Sequence, residues 1–170
     1  MTQFNYYPVV MYPDPQNSFK VYQMNFTRRA DVISMYKNNE RYYFKHDINN
    51  ADTPEILADK LYDNANYAWI ILQFNDIVNP FEDWCKSSSE LHSFILEKYE
   101  NPYKVTRWID IDSGFMVDPS FYPKDKLLPI TNYEYEEILN ERKREIKLPL
   151  PEVARSIAYL HKQTFQQIIF

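Results

Sequence analysis

Apolar and polar residues follow two periods along this chain, and the switches between them mark its elements. Residues 1–27 follow neither. Pro8, Pro13 and Pro15 stand there among Phe4, Tyr6, Tyr7, Val9, Val10 and Tyr12, and proline denies the backbone a helix. An extended arm is expected, too apolar to stand in water and lying against its own core or a neighbour. Val32, Ile33 and Tyr36 suit a short helix between Thr27 and Asn39. RYYFKHDI then alternates, with Tyr42, Phe44 and His46 on one face and Tyr43, Lys45 and Asp47 on the other, as a half-buried strand does.

A helical pair follows at once. Thr53 is placed as N-cap, Pro54 at the first helical position and Glu55 near the positive end of the helix dipole. Leu57, Ala58, Leu61 and Tyr62 fall on one face. After Asn64 and Asn66, NYAWIILQFN reads as a second helix with Tyr67, Ile70, Ile71 and Phe74 in one stripe. Trp69 and Leu72 point elsewhere, so this helix is expected to be buried on nearly all sides. Asn75 is placed as a left-handed C-cap.

Ser87 and Glu90 form a capping box for a third helix, whose Leu91, Phe94, Ile95 and Tyr99 are expected inward. KVTRWIDI and FMV flank the DSG turn at Gly114, a hairpin pattern. Thr131 and Glu134 repeat the capping box before TNYEYEEILNERKRE. Ile146, Leu148 and Leu150 alternate as a short strand. Pro151 starts the last helix, with Val153, Ile157, Leu160 and Thr164 at roughly heptad spacing. No internal repeat or low-complexity tract interrupts the series.

The elements predict an α+β fold in three segments. Residues 1–39 hold an extended N-terminal arm and a short helix. Residues 40–99 hold a βαα core and a capped helix. Residues 100–170 hold the hairpin and a C-terminal helical arm. At 170 residues the chain fits one domain with arms, and 45% hydrophobic content supports a core.

Composition shifts attention to protein partners. Aromatic residues make up 17% of the chain, with 15 Tyr and 11 Phe, more than a core of this size hides, and such side chains anchor interfaces. The formal charge of −5, without a Lys/Arg cluster, argues against nucleic-acid binding. A lone Cys85 excludes a disulfide framework and a cysteine-based zinc site. MTQFNYYPVV has neither the basic nor the apolar region of a signal peptide, and no apolar run reaches membrane-spanning length. A soluble protein made in a reducing compartment is expected.

Candidate chemistry is thin. Asp110, Asp112 and Asp118 gather around Gly114 and could offer oxygen to calcium, but the further ligands of a calcium loop are missing, and a solvated turn is the simpler reading. His46, His92 and His161 lack metal-ligand spacing. Nothing places a base beside Cys85, which reads as a small buried thiol. One glycine cannot build a phosphate-binding loop. The expectation is a non-enzyme with no cofactor, no metal and no small-molecule ligand.

The order strand, Asp-Thr, helix, loop, helix, Asn-x-Ile over RYYFKHDINNADTPEILADKLYDNANYAWIILQFNDI resembles a LysM module, a βααβ fold. Ala51-Asp52-Thr53-Pro54 stands at its turn and Asn75-Asp76-Ile77 at its exit. The closing strand expected next is replaced by VNPFEDW and a capped helix. That departure is similar to the gene 53 baseplate wedge family of T-even-like contractile-tailed phages. The residues that carry the likeness are Pro54, Glu55, Ala58, Tyr62, Tyr67, Trp69, Ile70, Ile71, Asn75, Pro80, Phe81, Trp84, Lys98 and Tyr99, with FTRRADVI upstream and TNYEYEEILNERKREIKLPLP downstream. Asp63 stands where many members carry glycine.

The resemblance implies a structural subunit of the virion tail baseplate, assembled in the host cytoplasm in multiple copies. It implies contacts with other wedge proteins and with neighbouring wedges around the hub. Candidate partner-binding residues are Trp69, Leu72, Tyr6, Tyr7, Tyr12, Ile157 and Leu160. The alternative is a LysM-type module for peptidoglycan, which needs an open groove with Trp or Tyr exposed near Asp52 and Asn75.

Overall fold

The computed structural model describes residues 7, 9–13, 20–25 and 33–166. The elements run in the order β1 (Val9–Pro13), β2 (Lys20–Met24), α1 (Ser34–Lys37), β3 (Tyr43–Asp47), α2 (Pro54–Tyr62), α3 (Ala68–Phe74), α4 (Pro80–Asp83), α5 (Ser88–Lys98), β4 (Val105–Asp110), β5 (Met116–Val117), β6 (Leu127–Thr131), α6 (Asn132–Glu141), β7 (Glu145–Pro149) and α7 (Pro151–Gln166). They fall into two compact units. One is drawn from residues 1–46, 52–80 and 146–170, the other from 47–51 and 81–145.

In the first unit, β1 and β2 pair antiparallel from Val9 opposite Met24 to Pro13 opposite Lys20. The sequence predicted extended chain there; the described residues form a hairpin. Further on, β3 pairs with β7. Leu150 N–H donates to the Tyr42 carbonyl at 2.9 Å, and Ile48 N–H donates to the Arg144 carbonyl at 2.9 Å, so the two strands run antiparallel. The strand paired with β3 thus arrives after α6 rather than directly after α3.

Helix α2 begins as its sequence dictates. Thr53 Oγ1 accepts from Ile56 N–H at 3.2 Å with Pro54 at the first turn. It ends at Asp63, whose φ of 54° is left-handed, the conformation glycine takes without penalty. Asn75 does not take that conformation; its φ is −105°, and Asp76 is the left-handed residue at 56°. Leu57, Ala58, Tyr62, Ile70, Ile71, Phe74, Leu148, Val153, Ala154, Ile157 and Phe165 are the buried centre of this unit. Leu61, expected with them, is only half-buried.

The C-terminal helix, expected as an arm, supplies α7 (Pro151–Gln166) to that centre. Its buried side chains are Val153, Ala154, Ile157, His161 and Phe165, whereas Leu160 is half-buried and Thr164 exposed. The buried stripe steps by four, because a straight helix on a globular core turns every 3.6 residues and drifts away from a heptad seam.

The second unit stands on two capping boxes, both present: Ser87 with Glu90 for α5 and Thr131 with Glu134 for α6. Its sheet has the order β5-β4-β6, all antiparallel. Gly114, at φ 71°, turns β4 toward β5. Strand β6 was not expected, since Pro129 interrupts its pattern. At a sheet edge the missing N–H of proline costs no ladder bond. Ile48, Leu91, Ile95, Leu127 and Ile130 are the buried apolar residues here, with Cys85.

Candidate functional site

The two loops that a sugar groove would use are occupied by internal bonds. The Asp52 carboxylate, 5% exposed, receives His46 Nε2 at 3.1 Å and Lys60 Nζ at 3.4 Å. Asn75 offers its side-chain amide to the backbone of β7. Lys147 N–H donates to Asn75 Oδ1 at 2.7 Å, and Asn75 Nδ2 donates to the Lys147 carbonyl at 2.8 Å and to the Ile71 carbonyl at 2.9 Å. An amide side chain carries the same donor and acceptor as a peptide unit, so Asn75 acts as one link of an extra strand. Tyr62 ties the same segment from α2, its hydroxyl donating to the Pro149 carbonyl at 2.9 Å. Burial pushes the Tyr62 pKa well above the ordinary phenol value.

The predicted contact residues do not share one environment. Tyr7, Trp69 and Leu160 are half-buried along α3 and α7, as is Leu72. Tyr7 stacks on Phe165 at 4.6 Å between centroids and meets His161 edge-on at 6.1 Å, while Trp69 tilts over His161 at 4.8 Å. His161 is 3% exposed at the middle of these rings, and burial lowers its pKa. Ile157 is fully buried; it is a core residue of the first unit and offers no surface to a partner. Tyr12 is 47% exposed on the hairpin. Tyr6 lies outside the described residues.

Sequence reasoning expected an apolar N-terminal arm but neither the face it forms nor the apolar patch of the second unit. Val9, Met11, Tyr22 and Met24 share one face of the β1–β2 hairpin, since Val9 opposes Met24 and Met11 opposes Tyr22; all four are exposed. In the second unit, Ile111, Phe115, Met116, Phe121 and Leu128 are exposed around the β4–β5 turn and the strand β6. The signal in the sequence was the excess of large apolar residues in proline-punctuated stretches. No local pattern says which of them fail to find a core.

The aspartates around Gly114 and the buried Glu136 of that second unit are individually committed. Asp110 accepts from Ser113 N–H at 3.1 Å and Ser113 Oγ at 2.6 Å, Asp118 accepts from Ser120 N–H at 2.9 Å, and Asp112 pairs with Lys126. Glu136 is buried and receives Lys98 Nζ at 2.9 Å and Tyr99 Oη at 2.6 Å on one oxygen. Burial alone would raise its pKa; the bonds from Tyr99 and Lys98 outweigh it and hold the carboxyl below the usual value. Asn140 clamps Lys86 as Asn75 clamps Lys147: Lys86 N–H donates to Oδ1 at 2.8 Å and Nδ2 donates to the Lys86 carbonyl at 2.9 Å. Among the described residues no three His, Cys, Asp or Glu side chains converge as for a metal, and no helix is long and apolar enough to cross a membrane. The arrangement is suited to holding shape and presenting apolar surface.

Comparison with known proteins bears on that surface. The family model described as Base plate wedge protein 53 matches residues 6–108, more than half of the chain. Baseplate wedge protein gp53 of Enterobacteria phage T4 is 28% identical over a stretch covering 42% of this chain and 40% of that protein. The match thus spans well under two thirds of the relative's length.

Proposed function

Since the chain belongs to the base plate wedge protein 53 family, we propose that it joins wedge proteins to one another and links adjacent wedges around the hub of a phage tail baseplate. The reading is supported above all by the exposed apolar side chains that both units carry, on the β1–β2 hairpin and around the β4–β5 turn. Each unit has its own buried centre, so neither needs these side chains for folding. Surface of this kind is what an obligate assembly covers. Tyr7, Tyr12, Trp69, Leu72 and Leu160 are the contacts assigned to the first unit, and assembly takes place in the host cytoplasm.

Deleting the gene in the phage that carries it tests the proposal. The expected result is tails without complete baseplates and no infectious particles, restored by supplying the chain in trans. Infectious virions with intact baseplates in the deletion strain overturn it.

A further inference from the structure

We propose that the β1–β2 hairpin is completed by an extended strand of a different baseplate protein, which adds to one of its outer edges. The proposal rests on the assembly role above and names the chemistry of one contact. In a two-stranded antiparallel ribbon each strand bonds its partner on the inner side only, and alternate N–H and C=O groups point outward. Among the described residues these outward groups have no backbone partner beyond the ladder itself. An isolated hairpin is at best marginally stable, so a third strand supplies both missing bonds and stability.

The edges of this hairpin differ from those of the other sheets. In the second unit, β5 is two residues long, β6 carries Pro129, and the β4–β6 register shifts between Val105 and Arg107. In the β3–β7 pair, Lys45, Asp47, Glu145 and Lys147 place charges along both strands. Short strands, proline, bulges and charge are the devices that keep a sheet edge from pairing with another chain. The hairpin has an unbroken register; its one strand proline, Pro13, lies opposite Lys20 at one end, and from Val9 to Tyr12 and from Val21 to Met24 there is neither proline nor charge. Beside that edge lie the exposed side chains of Val9, Met11, Tyr22 and Met24. Backbone bonds with an apolar shelf next to them are the means by which strand addition binds a peptide.

The hairpin also restricts the occupant. From Val9 to Tyr12 and from Val21 to Met24 neither strand carries a charge, so the incoming strand is apolar and alternating along that stretch. A second copy of this chain is disfavoured by area. Five residues on each side fall far short of the roughly 1,200 Å² that a stable free dimer needs. A neighbour already held in the baseplate by other contacts meets the edge at high effective concentration, and a short strand then suffices.

Hydrogen–deuterium exchange on the full chain, free and in purified baseplates, tests this. Amides at alternate positions of one strand, residues 9–12 or 21–24, are expected to exchange about tenfold or more slowly in the particle. Equal exchange in particles that contain the chain overturns the strand addition while leaving the assembly role standing. M11K is expected to enter baseplates at least tenfold less well while keeping the melting temperature of the free chain. Wild-type incorporation of M11K counts against the proposal. So does a concentration-dependent dimer of the free chain with a protected hairpin, which assigns the edge to a second copy.

Discussion

Asp63 shows how one residue can be right for a turn and wrong for its backbone. It closes α2 at φ 54°, where a side chain costs about 1–2 kcal/mol and glycine pays none of it but loses more freedom on folding. Asp63→Gly is therefore expected to stabilise the protein by roughly 0.5–1 kcal/mol, read as a higher urea midpoint with unchanged slope. Glu136 works in the opposite sense. Lys98 and Tyr99 hold its folded pKa below the value of the unfolded chain, so its contribution is complete above the ordinary glutamate range of about 4.3. It is lost as pH falls through the lower folded value. Acid titration of the urea midpoint is expected to show this loss, and Glu136→Gln to remove it. The motif pair Lys98 and Tyr99 thus serves a buried carboxylate 37 residues or more away in sequence, a role that their spacing alone could not reveal.

At the scale of elements, the sequence was legible wherever the signal is local. Thr53-Pro54, Ser87 with Glu90, and Thr131 with Glu134 each cap the helix they were expected to cap, because a cap is decided within four residues. Two strands were marked around Tyr43 and Leu148, although around β3 the alternation failed: Tyr42 and Phe44 are exposed, while Tyr43 packs against Phe74. That β3 and β7 are partners was not legible, since alternation states which face is buried and says nothing about the strand beside it. The misread period of α7 has a similar cause: Ile157, His161 and Phe165 lie four apart, and a polar histidine in the middle hid the stripe. Surface residues were the least legible, as Ile157 turned out to be core. The N-terminal arm was expected to be too apolar for water, but its pairing into a hairpin with one apolar face was not foreseen. If α7 belongs to the first unit's centre, Ile157→Ala costs about 2–5 kcal/mol through the cavity it leaves. The expected measurement is a lower urea midpoint of the free chain, and an unchanged midpoint returns Ile157 to the surface.

At the scale of the whole molecule, most of the second unit, residues 81–145, is inserted into the first between Pro80 and Ile146, with residues 47–51 joining it. Lys147 is held by Asn75 and Pro149 by Tyr62, so β7 is bonded to residues that precede the insertion. A chain ending at Glu145 keeps every residue of the second unit and lacks β7 and α7. Amide exchange in such a chain is expected to show protection at Leu91, Ile95 and Glu136 and none at Ile70 and Phe74. Protection of both sets means that the first unit stands without β7. The same arrangement sets a clock on synthesis. On the ribosome the first unit, begun earlier, must wait as loose chain while the inserted unit is translated and folds. Residues 52–80, rich in buried aliphatic and aromatic side chains, are then the stretch most exposed to misassociation. Slowing translation between Pro80 and Ile146 lengthens that wait, and the yield of soluble protein should fall with it.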